Sequence, residues 1–114
     1  METREEALLA AQAAGDKKAN RVVVLDVHEV SGVADYFVIC GATNTTQVRA
    51  IADAVEEKLG QVTKRGHREG YDVGHWVLLD YGAVVVHVLH ETERAYYNLE
   101  RLWGDAPVLP VAFA

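Results

Sequence analysis

The chain has 114 residues and carries 17 acidic against 11 basic side chains, a net charge of −6. That length supports one hydrophobic core and a single domain over residues 1–114, while the acidic balance argues against direct sequence-specific nucleic-acid binding, which draws most of its affinity from neutralised phosphates. A basic protein is the better-matched partner.

Cys40 is the only cysteine, which excludes an internal disulfide and suits a reducing compartment. The start METREEALLAAQAAG is acidic and lacks the basic region of a signal peptide. No apolar run reaches membrane-spanning length, so a cytoplasmic chain without a membrane partner is expected. Thr3 and Glu6 have capping-box spacing for a first helix carrying Leu8, Ala11 and Ala14 along one side. Gly15 and DKKAN stop that helix. RVVVLDV is a buried strand of β-branched residues, HEVSGVA a connector, and DYFVICGA a second strand.

Asn44 followed by Gln47 is a second capping arrangement. It opens a helix whose apolar positions Val48, Ile51, Ala52, Val55 and Leu59 follow helical spacing up to Gly60. QVTKRGHREGYDVGH predicts a short strand within loops. HWVLLDYGAVVVHVLH predicts a hairpin, and residues 92–103 a last helix with Ala95, Tyr96, Leu99, Leu102 and Trp103 toward one side. Gly104 and Pro107 end it, leaving the apolar tail VLPVAFA. The order implies an α+β (α/β-like) domain, a mixed β-sheet with helices packed on it.

With Gly82-Ala83 as a two-residue turn, Asp80 faces Val85, Leu78 faces His87 and Trp76 faces Leu89. One face then holds Val77, Leu79, Tyr81, Val84, Val86 and Val88, as a core requires. The other holds Trp76, Leu78, Asp80, Val85, His87 and Leu89. Three readings fit that mixed face. It is a partly covered core with Asp80 and His87 at its rim, a protein-binding face built on Trp76, or an Asp80–His87 general-base pair, though no nucleophile sits beside that pair. His87 and His90 form H-x-x-H, but odd spacing on a strand turns them to opposite faces. His67 and His75 complete no metal-ligand set, so no metal or cofactor is expected. Cys40 reads as a small core residue.

DYFVICGATNTTQVRAIADAVEEKL, GHWVLLDYGAVVVHVLHETERAYYNLERLW and the following GDAP resemble the Iojap-like ribosomal silencing factor family, from about residue 22 to residue 107. The matching positions are Asp35, Tyr36 and Phe37, then Trp76, Leu78, Asp80, Tyr81 and Gly82, then His87, and finally Arg94, Tyr97, Leu99, Glu100, Leu102 and Trp103. The resemblance implies a non-enzymatic, often dimeric protein with a fold similar to that of nucleotidyltransferases. It implies binding to the large ribosomal subunit through its protein fourteen, which hinders joining of the small subunit when nutrients are limiting. Trp76, Leu78, Asp80, Tyr81, Gly82, His87, Arg94 and Tyr97 are the partner-binding residues so implied. Ala83 stands where the family commonly has an acid, and Leu89 where it often has Phe. The first change removes a charge near the expected binding surface.

Two other functions remain. A nucleotidyltransferase-type enzyme needs a Gly-Ser turn and paired acids for Mg²⁺; GATN lacks the serine and Asp26-Val27-His28 supplies one acid. A generic dimerisation module is the other. The family resemblance and the apolar tail at residues 108–113 together imply a homodimer.

Overall fold

The computed structural model describes residues 2–64 and 66–111. Its first helix, α1 (Thr3–Asp16), buries Ala7, Ala10, Ala11, Ala13 and Ala14, small side chains that bring its backbone close to the sheet. The expected capping box is not formed. Glu2 is the N-cap and makes no side-chain cap bond. Thr3 therefore lies inside the helix, where its hydroxyl cannot cap. Leu8, expected on the inner side, is only half-buried, because the alanines carry the contact.

Strand β1 (Asn20–Asp26) pairs antiparallel with β2 (Tyr36–Ala42). The pairing slips between Asn20 and Val23, where Arg21 takes φ 44°. Such a bulge takes backbone groups out of the regular ladder. Helix α2 (Thr45–Gly60) opens as the sequence indicates, with Asn44 accepting from the Gln47 backbone N–H at 2.8 Å. The Gln47 side chain returns to the Thr43 N–H at 3.2 Å rather than to Asn44. The buried stripe is Val48, Ile51, Ala52, Val55 and Leu59, as the spacing predicts.

Strands β3 (His67–Glu69), β4 (Trp76–Asp80) and β5 (Val84–His90) form an antiparallel meander. Gly70 lets β3 approach β4 closely. Its φ is +81°, and a Cβ there would lie 2.1 Å from the Trp76 carbonyl oxygen. Helices α3 (Glu91–Tyr97) and α4 (Leu99–Leu102) follow, then β6 (Val108–Leu109), antiparallel to β1. The sheet order is β3-β4-β5-β2-β1-β6, and β2 with β5 is its parallel pair. The result is the mixed-sheet α+β architecture that the order of elements implies.

Both faces of the sheet are covered. Helices α1 and α2 pack on Val24, Val38, Cys40, Ala42, Val77, Leu79, Val84, Val86 and Val88. On the opposite face Leu25, Phe37, Ile39, Val85 and Leu89 meet Leu99, Ala106 and Trp103 from the C-terminal segment. This two-sided burial explains why β1 and β2 read as unbroken apolar runs.

Two expectations for the C-terminal third are corrected. The helix predicted over residues 92–103 breaks at Asn98, whose backbone is left-handed at φ 46° and ψ 61°. Asparagine tolerates that conformation better than most residues, and its N–H bonds the Arg94 carbonyl at 2.9 Å. The apolar side predicted for that helix is split, with Leu99 buried while Ala95, Tyr96 and Leu102 face outward. The tail is not wholly left over either: Val108 and Leu109 extend the sheet and Leu109 is buried. Residues 112–114 of that tail lie outside the described residues.

Candidate docking face of the hairpin

The hairpin has the register expected of it: Trp76 opposes Leu89, Leu78 opposes His87 and Asp80 opposes Val85. Tyr81 donates its N–H to the Val84 carbonyl at 2.8 Å. Gly82, with φ +81°, makes the turn, and Asp80 accepts its N–H at 2.8 Å. Asp80 thus ties the loop shut. The face made of Val77, Leu79, Tyr81, Val84, Val86 and Val88 lies wholly in the core under α1 and α2.

The second face divides. Val85 and Leu89 are buried among Phe37, Ile39 and Leu99, whereas Trp76 and Leu78 remain partly exposed at its edge. Trp76 meets Tyr97 of α3 at 4.9 Å between ring centroids, and Tyr97 meets Tyr96 at the same distance. Trp76 and Leu78 also line a shallow depression with Glu69 and Gly70. The exposed rings therefore form one strip, from the β4 edge onto α3.

His87 lies on this face but beneath it, 6% exposed. The Trp76 indole Nε1 donates to its Nδ1 at 3.2 Å, and Phe37 packs edge-on against the ring at 4.9 Å. Burial pushes its pKa down to about 4, so the imidazole is neutral near pH 7. Buried and neutral, His87 is not the rim residue that one reading of this face expected. Asp80 bonds the turn rather than His87, so the two do not make the orienting pair that general-base work requires.

Two further members of the implied binding set are placed elsewhere. Tyr81 points into the opposite core, where burial raises its hydroxyl pKa to about 12 and its ring fills the space above Gly66. Arg94 is 4% exposed. Its guanidinium donates to the carbonyls of Asn20 and Arg21 at 2.9 and 2.7 Å and meets Glu100 at 3.3 Å. Those carbonyls belong to the β1 bulge, so Arg94 fastens α3 to an irregular strand. Gly41 makes room for it: a Cβ there would lie 3.3 Å from Arg94 Nη1.

Tyr96 and Leu102, expected on the apolar side of one last helix, are instead 81% and 70% exposed. Asn98, a helix-ending residue by type, was the available signal. Cys40 is buried, with a thiol pKa raised by burial to about 12, as a core residue should have. Asp26 receives a hydrogen bond from His28, which holds its carboxyl below the usual range. Among the described residues, no three His, Cys, Asp or Glu side chains stand together as a metal site.

These features define a small α+β domain whose distinctive surface is a strip of rings on a hairpin edge and its neighbouring helix. Residues 1–113 match the family model described as ribosomal silencing factor during starvation. The ribosomal silencing factor RsfS of Bacillus subtilis is 50% identical over 109 residues, covering 92% of this chain and 90% of that protein. The protein of the same name from Halalkalibacterium halodurans is 49% identical over 112 residues, covering 96% and 94%. A crystal structure of a Chromobacterium violaceum protein superposes with a TM-score of 0.88 at 34% identity, over 100% of this chain and 93% of that one. The chain belongs to the ribosomal silencing factor family.

Proposed function

We propose that this chain is a ribosome-associated repressor of translation that docks on the large ribosomal subunit through its protein fourteen and excludes the small subunit sterically. The observation that carries the reading is the strip of Trp76, Leu78 and Tyr97. Partly exposed aromatic groups held on an ordered strand and on the helix beside it are what a protein-binding hot spot is made of. Family membership supplies the ribosome, and the net charge of −6 suits a basic ribosomal protein. The fold extends 32 × 32 × 28 Å, and it is this bulk, once docked, that would stand in the way of a second subunit. The mechanism makes and breaks no bond.

Within the implied set, Trp76, Leu78 and Tyr97 are the contact residues, with Asp80 and Gly82 shaping the adjoining turn. Tyr81, His87 and Arg94 act from inside the fold. Among the described residues no helix is long and apolar enough to cross a membrane; we place the work in the cytoplasm, where subunits join. Sedimentation of the purified protein with isolated subunits tests the reading. It should pellet with large subunits and stay in the supernatant with small ones. Co-sedimentation with neither, or equally with both, would refute it.

A further inference from the structure

Trp76 is partly exposed, yet its indole N–H is taken. It reaches His87 Nδ1 on the neighbouring strand, one register step away on the same face. An indole nitrogen can only donate, so His87 must present a lone pair at Nδ1 and carry its own proton at Nε2. His87 Nε2 is buried and finds no partner among the described residues. A buried N–H without an acceptor is disfavoured, whereas an aliphatic side chain would fill the same site without that penalty. What the imidazole supplies, and leucine could not, is an acceptor aimed at Trp76.

The ring is itself held in place. Phe37 meets it edge-on, and Trp103 in turn meets Phe37 at 5.4 Å between ring centroids. The anchor thus reaches into the second core, while Trp76, Leu78 and Tyr97 are exposed in part at the hairpin.

We propose that His87 is a positioning residue for docking: itself out of a partner's reach, it fixes the Trp76 indole beside Tyr97, so that the large subunit meets an already ordered ring. This rests on the reading of the hairpin edge as the ribosome-docking surface. An aromatic anchor ordered before contact loses less conformational freedom on binding. At neutral pH the imidazole keeps its acceptor, because burial disfavours the protonated ring.

The test compares His87→Asn, His87→Gln and His87→Leu. The Asn carboxamide oxygen takes the place of Nδ1, the Gln oxygen that of Nε2, and Leu offers no acceptor. The indole N–H signals are followed by NMR, with Trp103→Phe assigning the two tryptophans, and binding to purified large subunits is measured in parallel. In the Gln and Leu variants the Trp76 indole proton should shift and exchange faster, and binding should weaken about tenfold, the usual worth of one buried hydrogen bond. His87→Asn should keep the signal and bind within about twofold of the parent. The Gln variant preserves the comparison if Leu disturbs folding. An unchanged indole signal in both Gln and Leu would overturn the proposal. So would equal loss of binding in Asn and Leu, which marks a direct partner contact through Nε2. If the parent itself does not bind large subunits, the docking reading fails, while the indole signals still decide whether His87 orders Trp76.

Discussion

Acidification from pH 7 to pH 4 should destabilise this protein in part through His87. In the unfolded chain the imidazole titrates near 6.5, and in the fold burial brings it down to about 4. Between those values the unfolded chain binds a proton that the folded chain refuses. Stability therefore falls as pH drops through the interval, by about 1.4 kcal/mol per pH unit and about 3 kcal/mol in all. Below about pH 4 both states are protonated at this site and its contribution levels off. Other groups titrate over the same range, so the measurement is a difference: urea unfolding of the parent and of His87→Asn at pH 7, 6, 5 and 4. The variant cannot titrate at position 87. The parent should lose about 3 kcal/mol more than the variant, against a total stability for a domain of this size of roughly 5–15 kcal/mol. Stability curves that run parallel from pH 7 to pH 4 would show that the imidazole is not buried and neutral as the fold places it.

Arg94→Leu should cost about 3 kcal/mol or more in urea unfolding, because it strands the carbonyls of Asn20 and Arg21 and leaves Glu100 without its charge partner. Lost ribosome binding with unchanged stability would instead make Arg94 a surface contact. Asn98→Ala should lower stability by about 1 kcal/mol and Asn98→Gly should be nearly neutral, since alanine keeps the Cβ that a left-handed backbone penalises without asparagine's tolerance of it, and glycine has none; equal effects in thermal melts would contradict the break between α3 and α4. A homodimer is expected from the exposed Tyr96, Leu102 and Val108. Light scattering that finds only monomer at tens of micromolar removes that expectation.

The parts of the fold legible in the sequence are those fixed by local pattern. The stripe of α2 and its Asn44 cap depend on residues within a few positions of each other. The hairpin register follows from period-two alternation and one glycine turn, so both its faces could be listed residue by residue. Family and fold class were legible too, through motifs spanning most of the chain. What escaped depends on distant partners. The pairing of Val108 and Leu109 with β1 joins segments about 80 residues apart and has no local signature. Arg94 resembles a surface charge until the β1 bulge supplies carbonyls that a regular ladder would have used. The last helix was read through Asn98 because its apolar residues kept helical spacing on both sides of the break. The Thr3–Glu6 spacing was right for a capping box, but the helix begins one residue too early for it. On the candidate site, the sequence separated the two hairpin faces but could not say that Leu99, Ala106 and Trp103 of the C-terminal segment cover most of the second one. That cover leaves Trp76, Leu78 and Tyr97 as its partly exposed edge.

Steric exclusion is tested most directly by mixing isolated large and small subunits with excess protein and following ribosome formation by light scattering. Co-sedimentation in the same buffer reports occupancy of the large subunit. The parent protein should lower the joined fraction in proportion to that occupancy. Trp76→Ala, which removes the partly exposed indole, should restore joining as its binding weakens by about tenfold or more, a hot-spot loss. Undiminished joining on large subunits shown to carry the protein would contradict the account.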